Sequence, residues 1–170
     1  KKLGLKLKYK TVTREETETY LRKIVPLIED NNVVKVGVAL PLYIASELAR
    51  EDGNKVIFSG GGADELFGGY HRYKTTNDAK KLNNDCYSDL LKIYERNMYR
   101  DDVVTMNNNL ELRVPYLDTN VVAYALRMSP SWKIRGDVEK HVLRELALEM
   151  GIPRELAYRK KKAAQYGSGF

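Results

Sequence analysis

The residues best placed to do chemistry lie in the run SGGGADELFGGY, which begins at Ser59 and ends at Tyr70. A short apolar stretch ending at Phe58 leads into Gly60, Gly61 and Gly62, and then into a helix start bearing Asp64 and Glu65. Glycines let the backbone come close to a ligand and leave its N–H groups exposed, which suits a phosphate or a nucleotide. A carboxylate at Asp64 could then hold a Mg2+ that bridges phosphate oxygens. The same residues fit a tight turn at a helix N-terminus, where Asp64 and Glu65 only complement the helix dipole. No Gly-Lys-Ser or Gly-Lys-Thr follows, so this is not a Walker-type loop. Other reactive side chains are sparse. His71 and His141 are too far apart in sequence to form a metal motif and read as surface or half-buried residues. Cys86 is the single cysteine, which excludes an internal disulfide and a Cys-rich zinc site and fits a reducing, cytoplasmic setting.

Such a loop needs a strand behind it and a helix in front. Lys55 to Phe58 is a short apolar run bounded by the turn Asp52, Gly53, Asn54, the pattern of a buried strand. Upstream, Thr13 and Glu16 form a capping-box signature for a helix whose buried face carries Leu21, Ile24, Val25 and Ile28. Pro26 kinks that helix or ends it early. After a polar break at Asp30, Asn31 and Asn32, a second helix is predicted over residues 38–50. Residues 5–12 (LKLKYKTV) alternate apolar and polar, the period of a half-buried strand, and Gly4 reads as the C-cap of a helix ending over Lys1 to Leu3. Strand, helix, helix, strand is the order of a parallel α/β sheet. From Leu66 onward the chain is predicted mainly helical, with helices over 80–98, 119–128 and 137–150 and a short one after Pro153. The Gly-rich tail from Gln165 to Phe170 reads as a mobile end or a loop over a site.

The whole-chain numbers exclude more than they assign. With 170 residues, 43% apolar and 31% charged, the chain fits one ordinary globular domain or most of one. The longest apolar stretch, Val36 to Ala45, is far short of a bilayer span, and no signal peptide follows the opening lysines, so a soluble protein without a membrane partner is expected. The net charge of +6 is dispersed except for Arg159, Lys160, Lys161 and Lys162, which leaves no long basic stripe for a nucleic acid.

Three blocks carry a family resemblance. SGGGADELFGGYHRY, starting at Ser59, resembles the SGxGxDExFGGY signature of asparagine synthetases and their β-lactam synthetase relatives. NLELRVPYLD, from Asn109 to Asp118, resembles that family's LExRxPFLD block, and RKKKAAQYG, from Arg159 to Gly167, looks like its lysine-bearing C-terminal loop. The resemblance implies an adenine-nucleotide α-hydrolase-like fold of the ATP-pyrophosphatase type, a parallel sheet flanked by helices. It implies that ATP adenylates a substrate carboxylate and that ammonia then attacks to give an amide and AMP. Position by position, Ser59, Gly60, Gly61 and Gly62 fall on the ATP-contacting loop, Asp64 on a Mg2+ ligand, and Lys161 on the lysine that neutralises charge on the phosphates and the acyl intermediate. Glu111 falls on a carboxylate that supports the site, and an ion pair with Arg113 is its plainer reading. Arg100, Asp101, Arg113 and Asp118 read as a structural charge network near the site. The implied partners are a small acid such as L-aspartate, ammonia or glutamine, and either an N-terminal glutaminase domain or further copies of the chain.

The departures from the family pattern carry information too. The family's pyrophosphate loop, SGGxDS, is missing, so the chain reads as a fragment lacking the first strand and phosphate loop of the domain. Gly61 stands where asparagine synthetases have Glu and β-lactam synthetases Tyr, and a glycine cannot handle a proton there. Upstream of Pro41 the family's Thr and Arg are replaced by Val34, Lys35 and Gly37, with Lys35 a candidate to bind a carboxylate instead. Two further readings follow: an amide-forming ligase acting on another carboxylic acid, and a non-catalytic nucleotide-binding module.

Overall fold

A computed structural model describes residues 3–75 and 78–168. In chain order the elements are α1 (Arg14–Leu27), α2 (Val33–Glu51), β1 (Val56–Phe58) and α3 (Ala63–Phe67), then a 3-10 turn at His71–Thr75 and α4 (Ala79–Leu91). A π-helical turn at Tyr94–Met98 leads into α5 (Tyr99–Asn107), followed by β2 (Glu111–Arg113), a 3-10 turn at Pro115–Leu117, α6 (Thr119–Arg127) and α7 (Pro130–Lys133). The strands β3 (Ile134–Arg135) and β4 (Val138–Glu139) and the helices α8 (His141–Glu149), α9 (Arg154–Ala157) and α10 (Ala164–Gly167) complete it. The architecture is mixed α/β, mostly helical, with a small parallel sheet. Among the described residues no helix is long and apolar enough to cross a membrane. The chain divides into two compact units, one built from residues 3–58, 96–113 and 161–168, the other from 59–75, 78–95 and 114–160.

The first unit is organised around α2. Its buried face, Val36, Ala39, Leu40, Tyr43 and Ile44, packs with Tyr20, Ile24 and Ile28 of α1 and Val104 of α5. Local chemistry sets the helix starts. Thr13 Oγ1 accepts from Glu16 N at 3.2 Å while Glu16 Oε2 accepts from Thr13 N at 2.7 Å, the expected capping box. The second helix begins at Val33, five residues before its predicted start, because the Asn32 side chain caps it by accepting from Val34 N and Lys35 N. A run of β-branched valines hides that start from a propensity reading. Pro26 sits within the last turn of α1, which ends one residue later.

The strand expected at 55–58 is present as β1, and it pairs in parallel with β2, Ile57 opposite Leu112. Its burial is not as expected: Val56 and Ile57 are half-buried and Phe58 is exposed. The strand expected over 5–12 does not form among the described residues. Residues 5–9 are all exposed, Leu5, Leu7 and Tyr9 among them, and only Lys10 and Val12 are half-buried; Lys8 pairs with Asp52 and Lys10 with Glu47. A period of two fixes which residues share a face, not which face finds a partner. Gly4 does adopt the left-handed conformation, at φ +67°. The helix expected before it runs over Lys1 and Lys2, and the expected tail over Gly169 and Phe170; these four residues lie outside the described residues.

The second unit holds α3, α4, α6, α7, α8, α9 and the β3–β4 hairpin. Leu66, Phe67 and Ala125 form its core with Tyr116, Val122 and Leu143 around them, and Tyr73, Leu82 and Cys86 form a second cluster. The helix expected over 80–98 stops at Leu91, after which the chain is π-helical and then begins α5. The helix expected over 137–150 starts only at His141, because residues 138–139 pair antiparallel with Ile134–Arg135 and Lys140 takes φ 52°. The predicted helices at 119–128 and after Pro153 appear as α6 and α9. The expected charge network is dispersed. Arg100 and Asp101 pair with each other in the first unit's interior (2.8 Å), Arg113 pairs with Glu111, and Asp118 caps α6 by accepting from Asn120 N.

Candidate nucleotide site

The glycine loop opens the second unit. Ser59 Oγ accepts a hydrogen bond from Gly61 N at 3.1 Å, which folds the loop back on itself, and Ala63 N donates to Gly60 O at 3.2 Å to start α3. Gly62 takes φ +91°, and a Cβ there would lie 2.5 Å from Leu117 Cδ2. Only glycine satisfies both the backbone angle and the space. Ser59 is half-buried and Gly60 exposed, so this face of the loop is open to a ligand.

Asp64 lies in the first turn of α3, and Lys140 Nζ stands 2.9 Å from its Oδ1. Position 69 has to be glycine for the two to meet. A Cβ on Gly69 would be 1.8 Å from Asp64 Oδ1 and 2.6 Å from Lys140 Cε. The neighbouring Glu65 is buried and accepts from Tyr70 OH at 2.5 Å, so the second carboxylate of the motif holds the fold. Sequence reasoning missed Lys140, because no spacing rule links it to Asp64. Its left-handed backbone, at the junction between β4 and α8, is visible only in three dimensions.

Among the described residues no group of three or more His, Cys, Asp or Glu is assembled that could hold a metal ion alone. Mg2+ usually takes one or two carboxylates together with substrate phosphates and water. Asp64 fits that role with a nucleotide present, and the ion would then share the carboxylate with Lys140.

The other candidates belong to the first unit. Glu111 is exposed on β2, and Arg113 Nε donates to its Oε1 at 2.8 Å; that hydrogen bond holds the Glu111 carboxyl below the usual range. The ion-pair reading is therefore the one the geometry displays. Lys161 is exposed just ahead of α10. In the second unit, Arg144 fixes the backbone that leads toward it, donating to Ala157 O at 2.8 Å and Arg159 O at 3.1 Å. Arg144 carries no sequence signal either, since it bonds carbonyls rather than side chains.

The family described as asparagine synthase matches residues 1–81 and 74–169. A protein of Methanocaldococcus jannaschii named "Putative asparagine synthetase (glutamine-hydrolyzing) 1" is 39% identical across 99% of this chain and 38% of its own length. Asparagine synthetase B of Escherichia coli is 31% identical over 93% of the chain, and the human asparagine synthetase 32% over 90%; these matches cover 29% and 28% of the relatives. The chain thus spans well under half the length of the curated relatives it matches. The matches extend through the glycine loop, the β2 block and the lysine segment, so the chain belongs to the asparagine synthase family.

Proposed function

We propose that this chain supplies nucleotide-binding and acyl-transfer residues of an ATP-dependent amide-forming ligase, within an adenine-nucleotide α-hydrolase-like domain. A carboxylate oxygen of the acid attacks the α-phosphorus of ATP, and pyrophosphate leaves. Ammonia released from glutamine by an N-terminal glutaminase domain attacks the acyl carbon, AMP leaves, and the nitrogen loses a proton to solvent. L-aspartate is the acid to which the relatives' names point, with L-asparagine as product. The loop carries this reading: a glycine-lined turn with an exposed face, leading into a carboxylate at Asp64 held beside a cation. The loop backbone from Ser59 through Gly60 and Gly61 to Gly62 contacts the nucleotide, Asp64 takes Mg2+ with the phosphates, Glu111 orders β2 through Arg113, and Lys161 neutralises developing negative charge.

The test is pyrophosphate release by the complete protein with MgATP, L-aspartate and either ammonia or glutamine. Release that depends on the acid, and that falls about a hundredfold or more in Lys161→Ala, is the expected result. Nucleotide binding without release for any acid would make the chain a non-catalytic module. A second reading, that the acid is not aspartate, is favoured by Gly61 and Gly37, two positions at which the chain departs from the family pattern.

A further inference from the structure

Arg144, half-buried on α8, spends its guanidinium on three backbone carbonyls of the second unit. Its Nε donates to Glu139 O at 2.8 Å, and its Nη1 donates to Ala157 O at 2.8 Å and to Arg159 O at 3.1 Å. A guanidinium is planar and carries its N–H donors in a fixed fork, so acceptors shared by one such group are held in a set geometry relative to one another. Bonds from a charged donor are also roughly twice as strong as neutral ones.

On one side these bonds frame Lys140, whose Nζ stands 2.9 Å from Asp64 Oδ1. Glu139 O belongs to the peptide before Lys140, and Lys140 O, in the peptide after it, accepts from Arg144 N at 3.2 Å. Arg144 therefore holds both peptides between which Lys140 takes φ 52°. That left-handed backbone is costly for a residue with a Cβ and lasts only where its surroundings hold it. On the other side lies the exit from α9. Ala157 is the last residue of that helix, and terminal helix carbonyls lack partners within the helix, so a cationic side chain can satisfy them. Arg159 O belongs to the peptide joining Arg159 to Lys160, and Lys161 comes next. Two residues of chain reach at most about 7 Å, so Lys161 is tethered close to a fixed peptide.

We propose that Arg144 is a positioning residue for the ligase: one guanidinium sets the backbone of Lys140, the partner of Asp64, together with the backbone that leads to Lys161. This rests on the amide-forming ligase reading above. Arg144 acts on the chemistry only through these two lysines, so it governs where positive charge stands during the reaction rather than how tightly the nucleotide binds. A misplacement of about 1 Å can cost roughly a hundredfold in rate.

The experiment compares Arg144→Lys with Tyr158→Phe in the complete protein. A lysine keeps the charge but has no fork for three acceptors. Tyr158→Phe loses the hydrogen bond to Glu145 on the same segment and keeps every carbonyl bond. In Arg144→Lys, pyrophosphate release with MgATP, L-aspartate and ammonia should fall about tenfold to a hundredfold in kcat, with the KM for MgATP within about twofold of the parent. Tyr158→Phe should keep the parent kcat. Urea midpoints report folding of both variants, and kcat is taken per folded molecule. Trypsin gives a readout independent of turnover. Cleavage within residues 159–162, located by mass spectrometry, should quicken about tenfold in Arg144→Lys, because the segment opens without global unfolding. Unchanged kcat, unchanged cleavage, or a loss of turnover matched by Tyr158→Phe overturns the inference and leaves the ligase reading in place. Parent protein that releases no pyrophosphate with any acid sinks the ligase reading. Trypsin then decides on the clamp: quicker cleavage in Arg144→Lys supports it, and unchanged cleavage overturns it.

Discussion

Asp64 meets Lys140 at 2.9 Å through space that a side chain at position 69 would occupy. Gly69→Ala forces that pair apart and should cost about 1–3 kcal/mol, the range for adding atoms to a packed site, as read by urea denaturation. Lys133 makes the opposite kind of test. It is fully buried, its amine has no hydrogen-bond partner among the described residues, and burial pushes its pKa below the ordinary 10.5. A lysine whose folded pKa is depressed binds more protons when unfolded, so its cost is greatest at low pH and disappears as pH rises through 10.5. Lys133→Met removes a desolvated amine of similar length and should stabilise the protein by roughly 1–3 kcal/mol at neutral pH. Thermal melts across the range pH 7 to 10.5 should show that gain shrinking; a gain independent of pH would mean the amine is not the source.

At the scale of elements, the segment 5–12 is held to the first unit by its lysines rather than by a ladder. Lys10 donates to Glu47 at 2.7 Å and to Tyr20 OH at 2.6 Å, joining the segment to α2 and α1. Burial alone would raise the Glu47 carboxyl, but the hydrogen bonds from Lys10 and Tyr20 outweigh it and lower the pKa from the ordinary 4.5. A depressed folded pKa means stability that is full above 4.5 and lost as pH falls through the folded value. Glu47→Gln should therefore lower stability at neutral pH and flatten the acid limb of the stability curve, measured by urea unfolding at stepped pH. Helix caps are the other element-scale device. Thr13→Ala removes half of the capping box of α1 and should cost about 1 kcal/mol, since capping substitutions fall near that value.

For the whole molecule, the +6 charge is partly tied up in pairs, since among the described residues Lys8, Lys10, Lys35, Lys74 and Lys140 each face a carboxylate. Duplex DNA should bind only weakly, and fluorescence anisotropy should show the association vanishing between about 50 and 200 mM salt, as polyelectrolyte attraction does. Saturable binding that survives the higher salt would mean a surface has been overlooked. Much of the molecule was legible in the residues. The capping box at Thr13 and Glu16, the glycine loop leading into α3, the parallel β1 and the family blocks all follow from short stretches, because caps and turns are closed by groups a few residues apart. Tertiary structure alone decided that Lys10 belongs to Glu47 and Tyr20, that Asp64 belongs to Lys140, that Arg144 holds the carbonyls of 157 and 159, and that α10 packs on α2 at Gly37 and Gln165. Each of these is a meeting of residues far apart in the chain, and a burial or an ion pair has no sign until its partner's position is fixed.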